Sequence, residues 1–171
     1  MRLDQESAQG LLMLYSEILR ELRRRHLIRS TNNPIADIAE TLVAVALKLE
    51  LTSSSTAGHD AKDIHGVRYE IKGRRITKEN KSRQLSFIRG LNKDHFDFLV
   101  GVLFDESFQV MKACIIPKST VLKLAKYVEH VNGWRLILAD SVWHEAGVQD
   151  LTGPLQMLFA KLKSLQVEEI L

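Results

Sequence analysis

Cysteine is nearly absent: Cys114 is the only one in 171 residues, which excludes an internal disulfide framework and a zinc site built on cysteine. Its place in the apolar run VMKACIIP reads as that of a small buried hydrophobe. Long hydrophobic runs are also missing, and none approaches the roughly 18 residues needed to cross a bilayer. The N-terminal stretch MRLDQESAQG has charges and a glycine where a secretory signal needs an apolar segment, so the cytoplasm is the expected location. No Gly-x-x-x-x-Gly-Lys occurs, so no nucleoside triphosphate is expected as a ligand. His59, His65, His95 and His144 are scattered rather than set at metal-ligand spacing. Aromatics are few. Trp134 and Trp143 do not interleave with basic residues, and they read as packing residues rather than base-stacking platforms.

What remains is ordinary for a folded chain: 45% hydrophobic and 26% charged residues, enough for one domain with a sizeable core. Net charge is only +3, but its distribution is uneven. Residues 72–93 hold eight cations (Lys72, Arg74, Arg75, Lys78, Lys81, Arg83, Arg89, Lys93) against Glu79 alone, which is +7 locally and leaves −4 for the rest. A basic concentration on a mildly acidic body suits an anionic partner, although a solvated loop carries the same signature.

Residues 4–26 show an apolar stripe at spacings of three and four (Leu11, Leu12, Tyr15, Ile18, Leu19, Leu22), which predicts a helix. Arg23, Arg24 and Arg25 fall in its last turn, where cations suit the helix dipole. Asn33–Pro34 reads as a helix start, followed over 35–50 by a helix apolar almost all round and therefore buried. Its polar exceptions, Asp37, Glu40 and Thr41, lie on one narrow strip. A small-residue loop over 53–58 follows. The period then changes: a short strand near 60–64 turns at His65–Gly66 into an alternating strand over 67–74. Val67, Tyr69 and Ile71 share one face; Arg68, Glu70, Lys72 and Arg74 share the other. A short element is expected around 84–90, a doubly buried strand over 96–104, and a partner strand over 110–116 across Asp105–Ser107. A helix from Pro117 to about Val128, a turn at Asn132–Gly133, a strand over 134–138 and a final helix with Leu155, Leu158, Phe159 and Leu162 complete the reading. The pattern predicts an α/β or α+β domain with a mixed sheet covered on both sides.

On a strand, Glu70 and Lys72 emerge side by side, about 6–7 Å apart. A carboxylate can hold a hard divalent cation, and an ammonium can orient water and neutralise charge on a phosphate. Glu-x-Lys alone arises constantly on wet strand faces. Asp60, at the entrance to the preceding strand, raises its significance by offering a second carboxylate. Counting from the turn at His65–Gly66 leaves an offset of about two residues between Asp60 and Glu70, which a bulge or a splayed strand start would absorb. The Ile71 carbonyl is a further candidate ligand. Asp63 rivals Asp60 but sits where a turn cap is expected. Glu40, a lone carboxylate on an apolar helix, needs a partner if buried, either a metal or Lys72.

The stretch from Gly58 to Arg75, GHDAKDIHGVRYEIKGRR, resembles the core motif of the PD-(D/E)xK nuclease superfamily, with His59 in place of the proline that often precedes the aspartate. The resemblance implies a restriction endonuclease-like three-layer α/β fold, a central mixed sheet flanked by helices. Within one domain, a helix would occupy 1–30, the catalytic core 35–117, and C-terminal helices with a short strand 118–171. It implies a Mg²⁺-dependent endodeoxyribonuclease, with Mn²⁺ as a substitute. Asp60, Glu70 and the Ile71 carbonyl would hold metal; Asp60, Glu70, Lys72 and Glu40 would form the catalytic set. Arg74, Arg75, Lys78, Lys81, Arg83, Gln84 and Arg89 would contact DNA, and the small size suggests a homodimer. The alternative is a catalytically silent module of the same fold that binds DNA or joins a complex. A helix-turn-helix reading of residues 36–40 fails because no second recognition helix follows at the required distance.

Overall fold

The fold is described from a computed structural model covering residues 2–53 and 58–161. Most of the expected 53–58 loop, and Leu162 with the chain beyond it, lie outside the described residues. Helix α1 spans Ala8–Arg24. It starts later than the expected residue 4 because Ser7 caps it, its hydroxyl accepting from the Gly10 N–H at 3.0 Å. Of the stripe only Leu19 is buried; Leu11, Leu12, Tyr15 and Ile18 are exposed.

Helix α2, Ile35–Leu47, is buried from Ile38 to Ala44, as its nearly uniform apolarity predicts. It stops short of residue 50 because Lys48 turns left-handed at φ 55° and releases Glu50–Leu51 as strand β1. Strand β2 is Ala61–Lys62, and β3 is Arg68–Arg75. Strand β4, Phe98–Phe104, is buried from Leu99 onward, and β5, Val110–Pro117, returns beside it across the expected turn. Helix α3, Lys118–Leu124, ends before the expected Val128, because Lys126–Val128 forms strand β6 and pairs with β7, Gly133–Arg135. Strand β8, Gln149–Asp150, leads into helix α4, Thr152–Lys161. Residues 84–90 form neither strand nor helix; isolated bridges, Gln84 to Ile137 and Ile88 to Trp134, hold them instead.

The result is an α/β fold around a six-stranded mixed sheet in the order β1-β2-β3-β4-β5-β8, with β3 and β4 parallel and the other neighbours antiparallel. On one face, α2 and α4 pack Leu42, Val43 and Leu155 against Ile71, Val100 and Val102. On the other face, the crossover between β3 and β4 supplies Leu85, Ile88, Leu91 and Phe96, which join Leu99, Leu103, Val121 and Leu138. No helix among the described residues is long and apolar enough to cross a membrane.

Two local features set the position of β3. Gly73 lets α2 lie directly on the strand: a Cβ there would come within 2.8 Å of the Ile35 carbonyl oxygen and 3.0 Å of the Ala39 Cβ. At the strand's start, Arg68 grips Asp97 through Nε at 3.1 Å and Nη2 at 3.0 Å, and the Arg68 N–H donates to the same carboxylate at 2.8 Å. The guanidinium holds the Asp97 carboxyl below its ordinary range.

Two outcomes follow from these contacts. Gly73→Ala is expected to cost about 1–3 kcal/mol through overpacking against α2, visible as a lower urea midpoint with unchanged slope. An acid with a depressed folded pKa stabilises the fold above its unfolded pKa, and that contribution disappears as pH falls through the folded value. Asp97→Asn should therefore lower stability at neutral pH and flatten the acid limb of the stability–pH curve below about pH 4.

Candidate active site

The hairpin between β2 and β3 decides what meets Glu70. Asp63 caps the turn, its Oδ1 accepting from the His65 N–H at 2.8 Å and the Val67 N–H at 2.9 Å, while Gly66 takes φ +81°. This bears out the capping role expected of Asp63. The pairing pivots about His65 and matches Ala61 with Tyr69 and Lys62 with Arg68. The Asp60 N–H donates to the Tyr69 carbonyl at 2.8 Å, although Tyr69 already stands opposite Ala61, so the regular ladder breaks at Asp60, close enough to Glu70 for their charges to interact. The regular pairing stops at Ala61, and Asp60 belongs to an irregular strand start of the kind expected to absorb the offset from Glu70.

Where β2 ends, the Asp60 side chain continues its ladder: Oδ2 accepts from the Ile71 N–H at 2.7 Å. This bond orients the carboxylate in the plane of the sheet edge. Within a strand the carbonyl of a residue points to the same neighbour as its N–H, so the Ile71 carbonyl also faces this edge. Satisfying an orphan backbone donor is reason enough for an acceptor at position 60, but an asparagine would serve it equally.

Glu70 and Lys72 share the opposite sheet face from Ile71, as alternation requires, and they pair at 2.6 Å between Oε1 and Nζ with side chains 16% and 14% exposed. Glu40 is buried on α2, and the side chain that pairs with it is the Arg29 guanidinium, not Lys72. Arg29 also donates to the Thr52 carbonyl at 2.6 Å, which ties the α1–α2 connection to the chain leaving β1. The polar strip of α2 faces this connection. Asp37 accepts from the Arg29 and Ser30 N–H groups at 3.0 and 2.7 Å, and the Thr41 hydroxyl donates to the Leu27 carbonyl at 3.2 Å.

Glu40, Asp60 and Glu70 form one electrostatic group. Burial raises the Glu40 carboxyl above its ordinary range and Asp60 raises it further, against the pull of Arg29. Burial likewise raises Asp60 and the Glu70 charge adds to it, opposed by the Ile71 N–H, Lys72 and Arg29. With Asp37, whose charge also raises Glu40, four carboxylates face the two cations Arg29 and Lys72. Among the described residues no group of three or more His, Cys, Asp or Glu side chains is arranged to hold a metal ion. At this edge stand two carboxylates, Asp60 and Glu70, beside the Ile71 backbone. That set fits Mg²⁺, which takes one or two carboxylates and keeps several waters, and it does not fit a protein-only cage.

The expected DNA-contacting residues do not share one surface. Arg74 lies on the Glu70–Lys72 face with its Nε donating to the Ser82 carbonyl at 3.1 Å. Arg75 falls on the other face, 4.2 Å above the Phe108 ring, and donates to the Glu106 carbonyl. Arg83 pairs with Asp140 at 2.9 Å, and Gln84 is held by its bridge to Ile137. Arg89 donates to the Val131 carbonyl at 3.3 Å, while Lys78 and Lys81 are exposed. Arg29, which sequence reasoning missed, had one signal: an isolated carboxylate on a buried helix demands a counter-charge. No protein-family model and no curated protein matches the chain.

Arg29→Ala leaves Glu40 buried without its counter-charge and is expected to cost about 3 kcal/mol or more in urea unfolding. Pairing Arg29→Met with Glu40→Gln should recover most of that loss. Equal destabilisation by the single and double variants would show that Arg29 acts through the Thr52 carbonyl instead.

Proposed function

We propose that this chain is a Mg²⁺-dependent nuclease of the PD-(D/E)xK type acting on DNA, with a restriction endonuclease-like arrangement of its core. The observation that carries the reading is the β2–β3 hairpin, in which Asp60 bonds to the Tyr69 carbonyl and the Ile71 N–H on either side of Glu70, with Lys72 paired to Glu70. Asp60 and Glu70, with the Ile71 carbonyl, would hold the ion; bound there, Mg²⁺ supplies charge to polarise a phosphoryl oxygen. The Ile71 N–H keeps the Asp60 carboxylate aimed along the sheet edge, so little reorganisation accompanies binding.

Lys72 carries an ammonium into a pocket edge that is otherwise acidic. It orients the attacking water and neutralises charge that develops on the phosphate. Glu40 acts at one remove, because Arg29 engages its carboxylate; the pair sets the local potential and supports the connection that walls the site. Arg74, Lys78 and Lys81 are the cations best placed to grip phosphates from the Glu70 face in a sequence-independent way. Arg75, bound over Phe108 on the other face, is left out of that grip. A homodimer would give the exposed stripe of α1 (Leu11, Tyr15, Ile18) a surface to cover.

Plasmid and single-stranded DNA incubated with Mg²⁺, Mn²⁺ or EDTA test the reading. Cleavage should require the metal and fall by about 10²-fold or more in Lys72→Ala. Asp60→Asn retains an acceptor for the Ile71 N–H, so it should abolish cleavage while keeping the thermal midpoint near that of the parent. DNA binding without any metal-dependent cleavage would favour the silent module of the same fold.

A further inference from the structure

We propose that the pocket between the β6–β7 ribbon and the Arg89–Lys93 turn binds an unstacked nucleotide of single-stranded DNA. It is a separate site from the acidic edge and needs neither Asp60 nor a metal.

The pocket measures about 540 Å³ and is lined by Arg89, Gly90, Asn92, Lys93, Tyr127, Asn132 and Trp134. Tyr127 and Trp134 are register partners across the ribbon, with ring centroids 5.2 Å apart and planes inclined by 59°. A cross-strand aromatic pair is an ordinary way to stabilise a two-stranded ribbon. Here the inclined rings make a corner instead of a closed stack, and Tyr127 remains 51% exposed, which leaves ring surface open to a flat ligand. Two cations and two amides surround that surface. Arg89 donates to the Val131 carbonyl at 3.3 Å, which steadies its guanidinium beside the ribbon. The exposed Lys93 ammonium has no carboxylate partner among the described residues. Asn132 accepts from the Tyr127 hydroxyl at 3.0 Å, so its amide N–H groups stay available to a base edge.

A stacking surface, amides for base edges and cations for phosphates together match the chemistry of a nucleotide more closely than that of an apolar or purely anionic ligand. Duplex DNA keeps its base faces covered, so the open ring selects single strands.

The pocket is also joined to the acidic edge. A Cβ on Gly58, two residues before Asp60, would lie 2.1 Å from the His95 Nδ1, and one on Gly90 would lie 3.7 Å from its Nε2. The His95 ring thus spans the space between the chain entering β2 and the pocket rim. A strand with one base in the pocket would run past His95 towards the chain entering β2.

Fluorescence titration in EDTA tests the proposal without any contribution from cleavage. In a Trp143→Phe background, Trp134 is the sole tryptophan reporter, and an oligo-dT strand should quench it. Tyr127→Ala and Arg89→Ala should each weaken binding by about tenfold, while Tyr127→Phe, which keeps the ring, should bind like the parent. Lys126→Ala and Arg135→Ala are charge controls: they pair with each other on the ribbon's other face and should change affinity by less than Arg89→Ala. Absence of quenching, equal loss in the charge controls, or equally strong quenching by a hairpin duplex would each overturn the proposal. Loss of cleavage in Asp60→Asn with quenching retained would leave it standing.

Discussion

Parallel neighbours cannot be joined by a turn, and the pairing of β3 with β4 therefore sends residues 76–97 on a long crossover before the chain re-enters the sheet. That detour covers the second face of the sheet. Leu85, Ile88, Leu91 and Phe96 on it are almost fully buried, though no helix or strand organises them. The segment is anchored by the Gln84–Ile137 and Ile88–Trp134 bridges and by bonds such as the Leu85 N–H to the Leu136 carbonyl at 3.0 Å. The Ile88–Trp134 bridge also holds the ribbon of β6 and β7 to the body. One pairing choice thus creates a core layer, positions the ribbon and leaves the other edge of β3 facing a strand only two residues long.

That short strand is what opens the acidic edge. Once β2 ends, β3 has donors without backbone partners, and a side chain must replace them. Asp60 does so, and its charge is then held near Glu70 and Glu40, where burial and mutual repulsion both favour the protonated form. A carboxylate is a costly choice for a ladder cap that an amide could fill. The cost is offset wherever a cation joins the group, and two cations already do: Arg29 at Glu40 and Lys72 at Glu70. Whatever negative charge remains when the group is ionised is what the proposed divalent ion would neutralise.

The periodic parts of the molecule were legible in the sequence. The alternation over 67–74, the apolar run ending at Phe104 and the all-round apolar helix after Pro34 became β3, β4 and α2 with small shifts at their ends. Asp60, Glu70 and Lys72 could be brought together from spacing, with the irregular strand start at Asp60 absorbing the offset from Glu70. Arg29 lies in a connection without periodicity, so only the unmet charge of Glu40 pointed towards it. The pairing of Tyr127 with Trp134 was hidden for a different reason. Helix propensity continues past Leu124 towards Val128, whereas tertiary contact pulls Lys126–Val128 into the ribbon.

The basic segment shows how a linear charge count misleads. Strand alternation sends Arg74 and Arg75 to opposite faces of the sheet, so adjacency in the chain becomes separation by a whole layer. Arg83 is neutralised locally by Asp140, which Lys112 also engages at 2.6 Å. The cations that remain for an anionic partner divide into two groups. Lys78 and Lys81 stand beyond Arg74, near the end of β3, while Arg89 and Lys93 stand beside the ribbon. A field built this way is weak at long range, consistent with a net charge of only +3, but it has two separate points of purchase. Two separate points of purchase suit a flexible chain, as the proposed single strand would be, more than a rigid duplex pressed against one flat surface.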